Sequence, residues 1–193
     1  MNNRSLEILE ESIEPSGKWI SLEIANDSIY LEFRDVQLGR PQNNKVLEIA
    51  IRFANNAFIC FFYNEIWDIE FLKNYDFSNQ SFFGDCSYKV KKIKFQDFNY
   101  LDEISQKFNK EKIFPPHDDF DVYNLRNDFF LIFELDKIAI CVSGNEMDFF
   151  NEFERLNDDL IKELSNQWIL YFLDYCNKTK MRKDSMCEDF LLK

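Results

Sequence analysis

The stretch LEIAIRFANNAFICFFY, residues 47–63, decides the fold. Its first half alternates apolar side chains with polar or small ones, which is typical of a strand with one face in a core and the other in solvent. Asn55 and Asn56 follow, and asparagine tolerates the positive φ angles that a tight hairpin turn requires. The stretch is therefore predicted to be a β-hairpin, with Ala54 opposite Ala57.

The second half of this stretch, FICFFY, is apolar on both faces. In the hairpin register Phe53 faces Phe58, so every second residue of the return strand points into the same core. The other side chains form a second apolar face, which a helix, a second sheet or a partner chain must cover. These side chains are Ile59, Phe61 and Tyr63.

A second hairpin is predicted over residues 19–38, where apolar residues alternate on both sides of Asn26-Asp27. Near Arg34-Asp35 the alternation changes phase, which predicts a β-bulge. The register that places both apolar sets on one face pairs Ile24 with Ile29, Leu22 with Leu31 and Ile20 with Phe33.

Residues 131–142 form the third predicted hairpin. After it, Asn145 is a candidate helix N-cap, and apolar residues then recur at steps of three and four. This spacing predicts a long amphipathic helix over residues 146–164, and the same phase continues to residue 176. The apolar stripe of this helix consists of Phe149, Phe153, Leu156, Leu160 and Leu164.

Together these elements predict an α+β protein, in which a mostly antiparallel sheet built from hairpins packs against the long C-terminal helix. A shorter helix is predicted to be capped by Asn99, with Leu101, Ile104 and Phe108 on its buried side. The length fits a single domain, residues 1–193. Both ends are polar: residues 1–16 are a leader or a short helix, and residues 178–193 are a tail.

The net charge of −12 narrows the kinds of partner that the protein can have. A surface this acidic repels phosphate backbones and anionic lipid headgroups, so neither nucleic acid nor a membrane is a predicted partner. A basic protein is the predicted partner, because the surface of the chain is acidic. The five cysteines include no C-x-x-C pair, and residues 1–18 contain no apolar signal-peptide core, so a cytoplasmic location is predicted.

The residues that usually carry catalysis are scarce. The chain has one histidine and four glycines, and it contains neither a phosphate loop nor metal ligands at a known spacing. No cofactor is predicted, and enzymatic activity is not favoured. The histidine lies in the loop Pro115–Asp121, where His117, Asp118 and Asp121 are residue types that bind metals. The alternative hypothesis is a metal- or small-molecule-binding domain, or an enzyme, that uses this loop.

The leading hypothesis is a non-enzymatic, acidic protein-binding module. One version is a bacterial inhibitor or immunity-type protein that neutralises a basic partner such as a toxin nuclease, because an acidic surface complements a basic active-site groove. A third hypothesis is a homo-oligomer whose interface covers the outer face of residues 58–63. The candidate contacts for a basic partner are Asp118, Asp119, Asp121, Glu152, Asp158 and Asp159.

Two further clusters have structural explanations. Glu23, Glu32 and Glu48 lie on neighbouring predicted strands and resemble a catalytic carboxylate pair. Arg34 and Arg52 share their face, however, so cross-strand ion pairs account for the pattern. The lysines that indicate a protected edge strand are Lys89, Lys91, Lys92 and Lys94.

Overall fold

A computed structural model describes residues 1–25, 27–42, 46–64, 88–114 and 127–179. The helices of these parts are α1 (Asn3–Ile13), α2 (Phe98–Lys107) and α3 (Asp158–Thr179). The strands are β1 (Lys18–Ala25), β2 (Ser28–Val36), β3 (Leu47–Ala54), β4 (Phe58–Tyr63), β5 (Tyr88–Lys89), β6 (Lys92–Phe95), β7 (Asn109–Phe114), β8 (Phe129–Glu134), β9 (Ile138–Gly144) and β10 (Glu146–Phe150). Strand β7 is described by its backbone alone.

The strands form two antiparallel sheets of five strands each. The first sheet has the order β10-β3-β2-β1-β5, and the second has the order β6-β8-β9-β4-β7. The predicted α+β class, with antiparallel hairpin strands and a C-terminal helix, is confirmed. The prediction of one sheet differs from the structure, which divides the strands between two.

One large apolar core lies between the two sheets. Trp19 and Phe33 project from the first sheet and Phe133 from the second. The ring centroid of Phe133 lies 5.6 Å from that of Trp19 and 5.4 Å from that of Phe33, in both cases edge to face. Such pairs add to the stabilisation that burial of the rings already provides. The aromatic contacts therefore hold the sheets together.

A smaller core lies between α2 and the other face of the second sheet. Leu101 and Ile104 of α2 are buried there against Cys60 and other side chains of the sheet. The helix begins two residues earlier than predicted, because the side chain of Asp97 and not that of Asn99 accepts the N–H of the first turn. A helix with the predicted buried side chains is nevertheless present.

The predicted hairpin over residues 19–38 is confirmed near its turn. Ile24 pairs with Ile29 and Leu22 with Leu31, as the alternation requires. A register shift between Trp19 and Ser21 makes Trp19 the partner of Phe33, so the predicted partner Ile20 is wrong. The bulge predicted near Arg34-Asp35 is present as a register shift between Phe33 and Val36 in the pairing of β2 with β3, and Asp35 has a φ of 60°.

The prediction that residues 47–63 fold back into a hairpin is wrong. The φ angles of Asn55 and Asn56 are positive, 55° and 64°, as predicted. These residues pass the chain from β3 in the first sheet to β4 in the second, so Phe53 and Phe58 do not pair. The asparagines therefore form a corner between sheets.

The two apolar faces of β4 explain this transfer. In the second sheet, Ile59 and Phe61 face the core between the sheets, while Cys60 and Phe62 face α2. A hairpin with β3 would have left one of these faces in water. Because Ile59 and Phe61 are fully buried within the chain, no subunit interface is needed to cover them.

The hairpin predicted over residues 131–142 is confirmed, with Leu131 opposite Val142 and Phe133 opposite Ile140. The chain then crosses between the sheets a second time, from β9 to β10. This crossing lies beside the first, because the N–H of Asn145 donates to the carbonyl of Asn55 at 2.9 Å. The two corners thus support each other.

The predicted start of the long helix is wrong. Residues 146–150 form strand β10 and pair with β3, so Phe149 is buried as a strand residue. The helix begins only at Asp158, where the side chain of Asn157 accepts the N–H of Asp159 and that of Leu160. It extends past residue 176 to Thr179. Asn145 therefore does not cap a helix, and Phe153 does not belong to one.

The polar N-terminal segment is not a loose leader. Its residues form α1, which is capped by the side chain of Asn2. Leu9 and Ile13 are fully buried in the main core. Of the predicted polar tail, residues 178 and 179 belong to α3, and the rest lies outside the described residues.

Two carboxylates, that of Glu10 in α1 and that of Glu14 at its C-cap, bind the edge strand β6. Glu10 accepts the backbone N–H of Phe95 at 2.7 Å, and its other oxygen lies 2.6 Å from Nζ of Lys94. Glu14 accepts the N–H of Ile93 at 3.2 Å. Donors that a sheet edge would present to solvent are thus satisfied within the chain.

No helix in the described parts of the chain is long and apolar enough to cross a membrane.

Candidate functional site

A largely buried carboxylate on β10 binds two arginines. Asp148 lies 3.1 Å from Nη1 of Arg52, its partner on the neighbouring strand β3, and it also accepts from the guanidinium of Arg155. The Asp148 side chain is 11% exposed, whereas that of Arg155 is 69% exposed. Charge-assisted bonds of this kind are stronger than neutral ones. The network therefore fixes Arg155, and the chain around it, to the first sheet.

Two clefts flank this network. The first, of about 430 Å³, lies between the end of β10 and the start of α3 and reaches Met1. The second, of about 440 Å³, reaches Phe129 and Asn145. The described residues that line them include no histidine, cysteine, serine or threonine. Their titratable side chains are the carboxylates of Glu146, Asp148 and Asp158 and the two guanidinium groups of the network.

The acidic loop, residues 151–155, projects from this site. The side chain of Asn151 accepts the N–H of Phe153 and that of Glu154, both at 2.8 Å, and the Asn151 N–H donates to the Glu154 carbonyl at 3.0 Å. An isolated β-bridge joins the residues on either side of this turn, Phe150 and Arg155. The loop holds Phe153 with 68% of its surface exposed.

Exposed acids surround Phe153 and continue onto the first turns of α3. Glu152, Glu154, Asp159 and Glu163 are exposed, and Lys162 is the exposed base among them. Arg52, Asp148 and Arg155 together contribute one net positive charge, so with Lys162 they offset two of these acids. This part of the surface therefore keeps a net negative charge.

The structure brings together three of the six predicted binding residues. Glu152 lies in the acidic loop, not on a helix, and Asp159 lies on the first turn of α3. Asp158 also lies there, and its side chain accepts the N–H of Asn2 at 3.0 Å, which joins α3 to the N-terminus. The other predicted residues, Asp118, Asp119, Asp121 and the alternative metal ligand His117, lie outside the described residues.

Sequence analysis missed the central features of this surface. Phe153 matched the helical stripe and was expected in the core. The ion pair of Arg52 and Asp148 joins residues far apart in the chain, so the sequence alone does not show it. The motif NEFER, residues 151–155, contains the one available signal. Its Asn favours a turn, because an Asn side chain can hydrogen-bond the backbone two residues further along the chain.

In the first sheet, Glu32 and Arg52 do not make the predicted cross-strand ion pairs. Glu32 accepts the hydroxyl of Ser21 at 2.7 Å, and Arg52 binds Asp148 and not a glutamate of its own face. The predicted edge lysines do lie at sheet edges. Lys92 and Lys94 belong to β6 and Lys89 to β5, which are edge strands of the second and first sheets.

The described titratable groups in the smaller core are poor nucleophiles. Burial raises the pKa of the Cys141 thiol, and the neighbouring Cys60 raises it further. Burial, with the charge of Glu134, also raises the pKa of Tyr100. Both groups therefore stay protonated at neutral pH. No group of three or more potential metal ligands occurs among the residues that the structure describes.

Comparison with known proteins finds no matching family model, no similar curated protein and no similar solved structure.

Proposed function

We propose that this chain is a non-enzymatic, cytoplasmic protein-binding module that recognises a basic protein through the acidic loop and the first turns of α3. The observation that carries this proposal is the exposed Phe153, held between Glu152 and Glu154 on a hydrogen-bonded turn. Large exposed aromatic side chains are favoured as central contacts in protein interfaces.

The negative charge of this surface indicates the chemistry of the proposed partner. The acids around Phe153 add to a net charge of −12, so a cationic surface is attracted from a distance. Opposite charges at the rim of an interface mainly raise the association rate and select the partner. The partner is therefore expected to present an apolar pocket bordered by lysines or arginines.

The rigidity of the loop also supports binding. The Arg52–Asp148–Arg155 network fixes one end of the loop, and the side chain of Asn151 fixes its turn. A surface that is ordered before binding loses less conformational entropy on association. A concrete version of the proposal is an inhibitor or immunity-type protein that covers the basic groove of a toxin such as a nuclease.

Affinity capture from native lysate, at low and at high salt, tests the proposal. The wild-type chain should retain a basic protein, and high salt should weaken the retention. Phe153→Ala should raise the dissociation constant about 30-fold, the effect of losing a central interface contact. Glu152→Lys with Glu154→Lys should slow association of the same partner.

A matched control is Glu48→Lys with Glu103→Lys, which makes the same change of charge at two exposed acids elsewhere. This variant should bind with nearly the wild-type affinity. If both double variants weaken capture equally, only the overall charge matters, and the acidic loop is not the binding site. Capture of a partner that is indifferent to Phe153→Ala contradicts the proposal as well.

A further inference from the structure

Helix α3 has exposed apolar residues in addition to its buried stripe. Ile161, Trp168 and Cys176 form a narrow buried stripe along the helix. In its middle turns, Ile169, Leu170 and Leu173 are 51%, 68% and 37% exposed. At 3.6 residues per turn Leu170 lies opposite the buried stripe, and Ile169 and Leu173 lie between the two on one side of the helix. We call these three residues the α3 patch.

The part of the chain that the structure describes leaves the α3 patch exposed. A helix on the surface of a globular protein usually has one apolar stripe and a polar opposite face. Adjacent exposed aliphatic side chains are typical of surfaces that another protein covers. A cleft of about 410 Å³ borders the patch, lined by Arg40, Gln167, Leu170, Tyr171 and Asp174.

The charges along α3 indicate that the surface covering the patch is a second copy of α3. The first turn contains Asp158 and Asp159, and the last turn contains Lys178. Glu163 and Lys178 each lie about two turns from Leu170, on opposite sides of it. When two copies of α3 lie antiparallel and cross at Leu170, Glu163 of each copy therefore comes level with Lys178 of the other.

Antiparallel packing is favourable for two further reasons. It places the negative end of each helix dipole beside the positive end of the other. Lys178 is bound in the chain only by an exposed pair with Asp174, at 2.6 Å, and such pairs contribute little to stability. Lys178 can therefore bind an acid of a second copy at little cost.

We propose that the α3 patch is a self-association surface, through which two copies of this chain form a two-fold dimer with antiparallel α3 helices. In this dimer the patch covers its own counterpart, as an isologous interface requires. The surface is separate from the acidic loop, so the dimer would present two loops to basic partners. The interface is small, and the dimer is expected to dissociate on dilution.

Light scattering and sedimentation of the full chain over a range of concentrations test the proposal. The wild type should show a monomer–dimer equilibrium. Leu170→Glu should raise the dissociation constant at least tenfold. Because Leu170 is exposed, this variant should keep the circular dichroism and melting temperature of the wild type. The control is Phe153→Glu, which adds the same charge at an equally exposed apolar residue in the acidic loop.

The control also separates this proposal from the proposed function. Phe153→Glu should leave the dimer intact and abolish capture of a basic partner, while Leu170→Glu should do the reverse. A chain that is monomeric at every concentration overturns self-association, as does a dimer that Leu170→Glu leaves intact. Capture of a different protein that Leu170→Glu abolishes, without a dimer, would assign the patch to that protein.

The orientation is tested by exchanging charges. Glu163→Lys should weaken the dimer by placing two cations level with each other. Adding Lys178→Glu should restore the wild-type dissociation constant, because each new lysine then meets a new glutamate. Failure of the double variant to restore association overturns the antiparallel arrangement.

Discussion

The segments 19–38 and 47–63 have similar patterns and different structures. Each has alternating apolar residues, a pair of turn residues and a second apolar run. The first segment stays within one sheet, and β1 pairs with β2. The second segment crosses a corner, and β3 and β4 belong to different sheets.

The difference lies in the strand that follows each turn. In β2 buried residues alternate for the most part with half-buried ones, so one covered face is enough. In β4 the residues from Phe58 to Phe62 are all buried, which requires covered faces on both sides. Turn residues therefore permit a hairpin, which forms when both strands need the same number of covered faces. Strands β8 and β9 are both buried on two faces and pair, whereas β3 and β4 differ.

Truncating core side chains should have the largest effect on this comparison. On β4, Phe61→Ala and Phe62→Ala should each lower the free energy of unfolding by about 3–5 kcal/mol, because both faces are buried. On β2, Leu31→Ala should cost about 2–5 kcal/mol. Its neighbour Tyr30 is half-buried on the other face, and Tyr30→Ala should cost about 1 kcal/mol or less. Urea denaturation measures these differences.

The β2 pair is the control for the β4 pair. Equal losses at Phe61 and Phe62, with unequal losses at Leu31 and Tyr30, are the expected pattern. A loss at Phe62 as small as that at Tyr30 would mean that α2 does not cover β4, and the explanation of the corner would then be wrong.

Substitutions at the corner itself should have an intermediate effect. A Cβ added at Gly144 would lie 2.6 Å from the carbonyl oxygen of Ala54 and 3.0 Å from its nitrogen. Gly144→Ala should therefore lower the free energy of unfolding by about 1–3 kcal/mol, measured by urea denaturation. Asn56→Gly, at a φ of 64°, should change it by about 0.5 kcal/mol or less.

These two variants distinguish close packing of the corner from turn conformation. If Asn56→Gly were the more damaging, the asparagine side chain would determine the corner, and the tight approach of the strands would be secondary.

The smallest effect is expected at the third turn, where β8 and β9 stay in one sheet. Asp136 in this turn lies 2.7 Å from Nζ of Lys91, and this contact lowers the pKa of the Asp136 carboxyl. A lowered pKa in the folded state stabilises the protein above the ordinary pKa of aspartate, and the stabilisation is lost as the pH falls through the folded value. Because both groups are exposed, the effect on stability is small.

Titration of the Asp136 carboxyl by NMR measures this pKa. Lys91→Met should return it close to the ordinary range, whereas Lys137→Met should move it less, because Lys137 acts only through its charge at a distance. An unchanged pKa in Lys91→Met would show that the contact does not persist in solution.

Sequence analysis succeeded where local pattern determines structure. Alternation identified the strands within residues 19–38, 47–63 and 131–142. The registers near the turns of the first and third of these segments followed from keeping apolar residues on one face. The buried side chains of α2 followed from helical spacing. These features depend on residues close together in the chain, and for that reason they could be predicted.

The predictions are wrong where contacts between residues far apart in the chain determine the structure. Phe149 and Leu156 fit a helical step, but Phe149 pairs with Ile51 across the first sheet. The choice between strand and helix over residues 146–150 depends on the free edge of β3, which spacing does not reveal. The candidate site has the same origin, since Asp148 binds Arg52 only because β10 lies beside β3.

The contacts that the Glu10 and Glu14 carboxylates make with β6 have a consequence for handling the protein. They occupy donors of an edge strand that could otherwise recruit strands from neighbouring molecules. Losing α1 by proteolysis would expose that template and would also open the main core around Leu9 and Ile13. Cleaved material should then accumulate as fibrous or amorphous deposits, so α1 protects the protein against polymerisation.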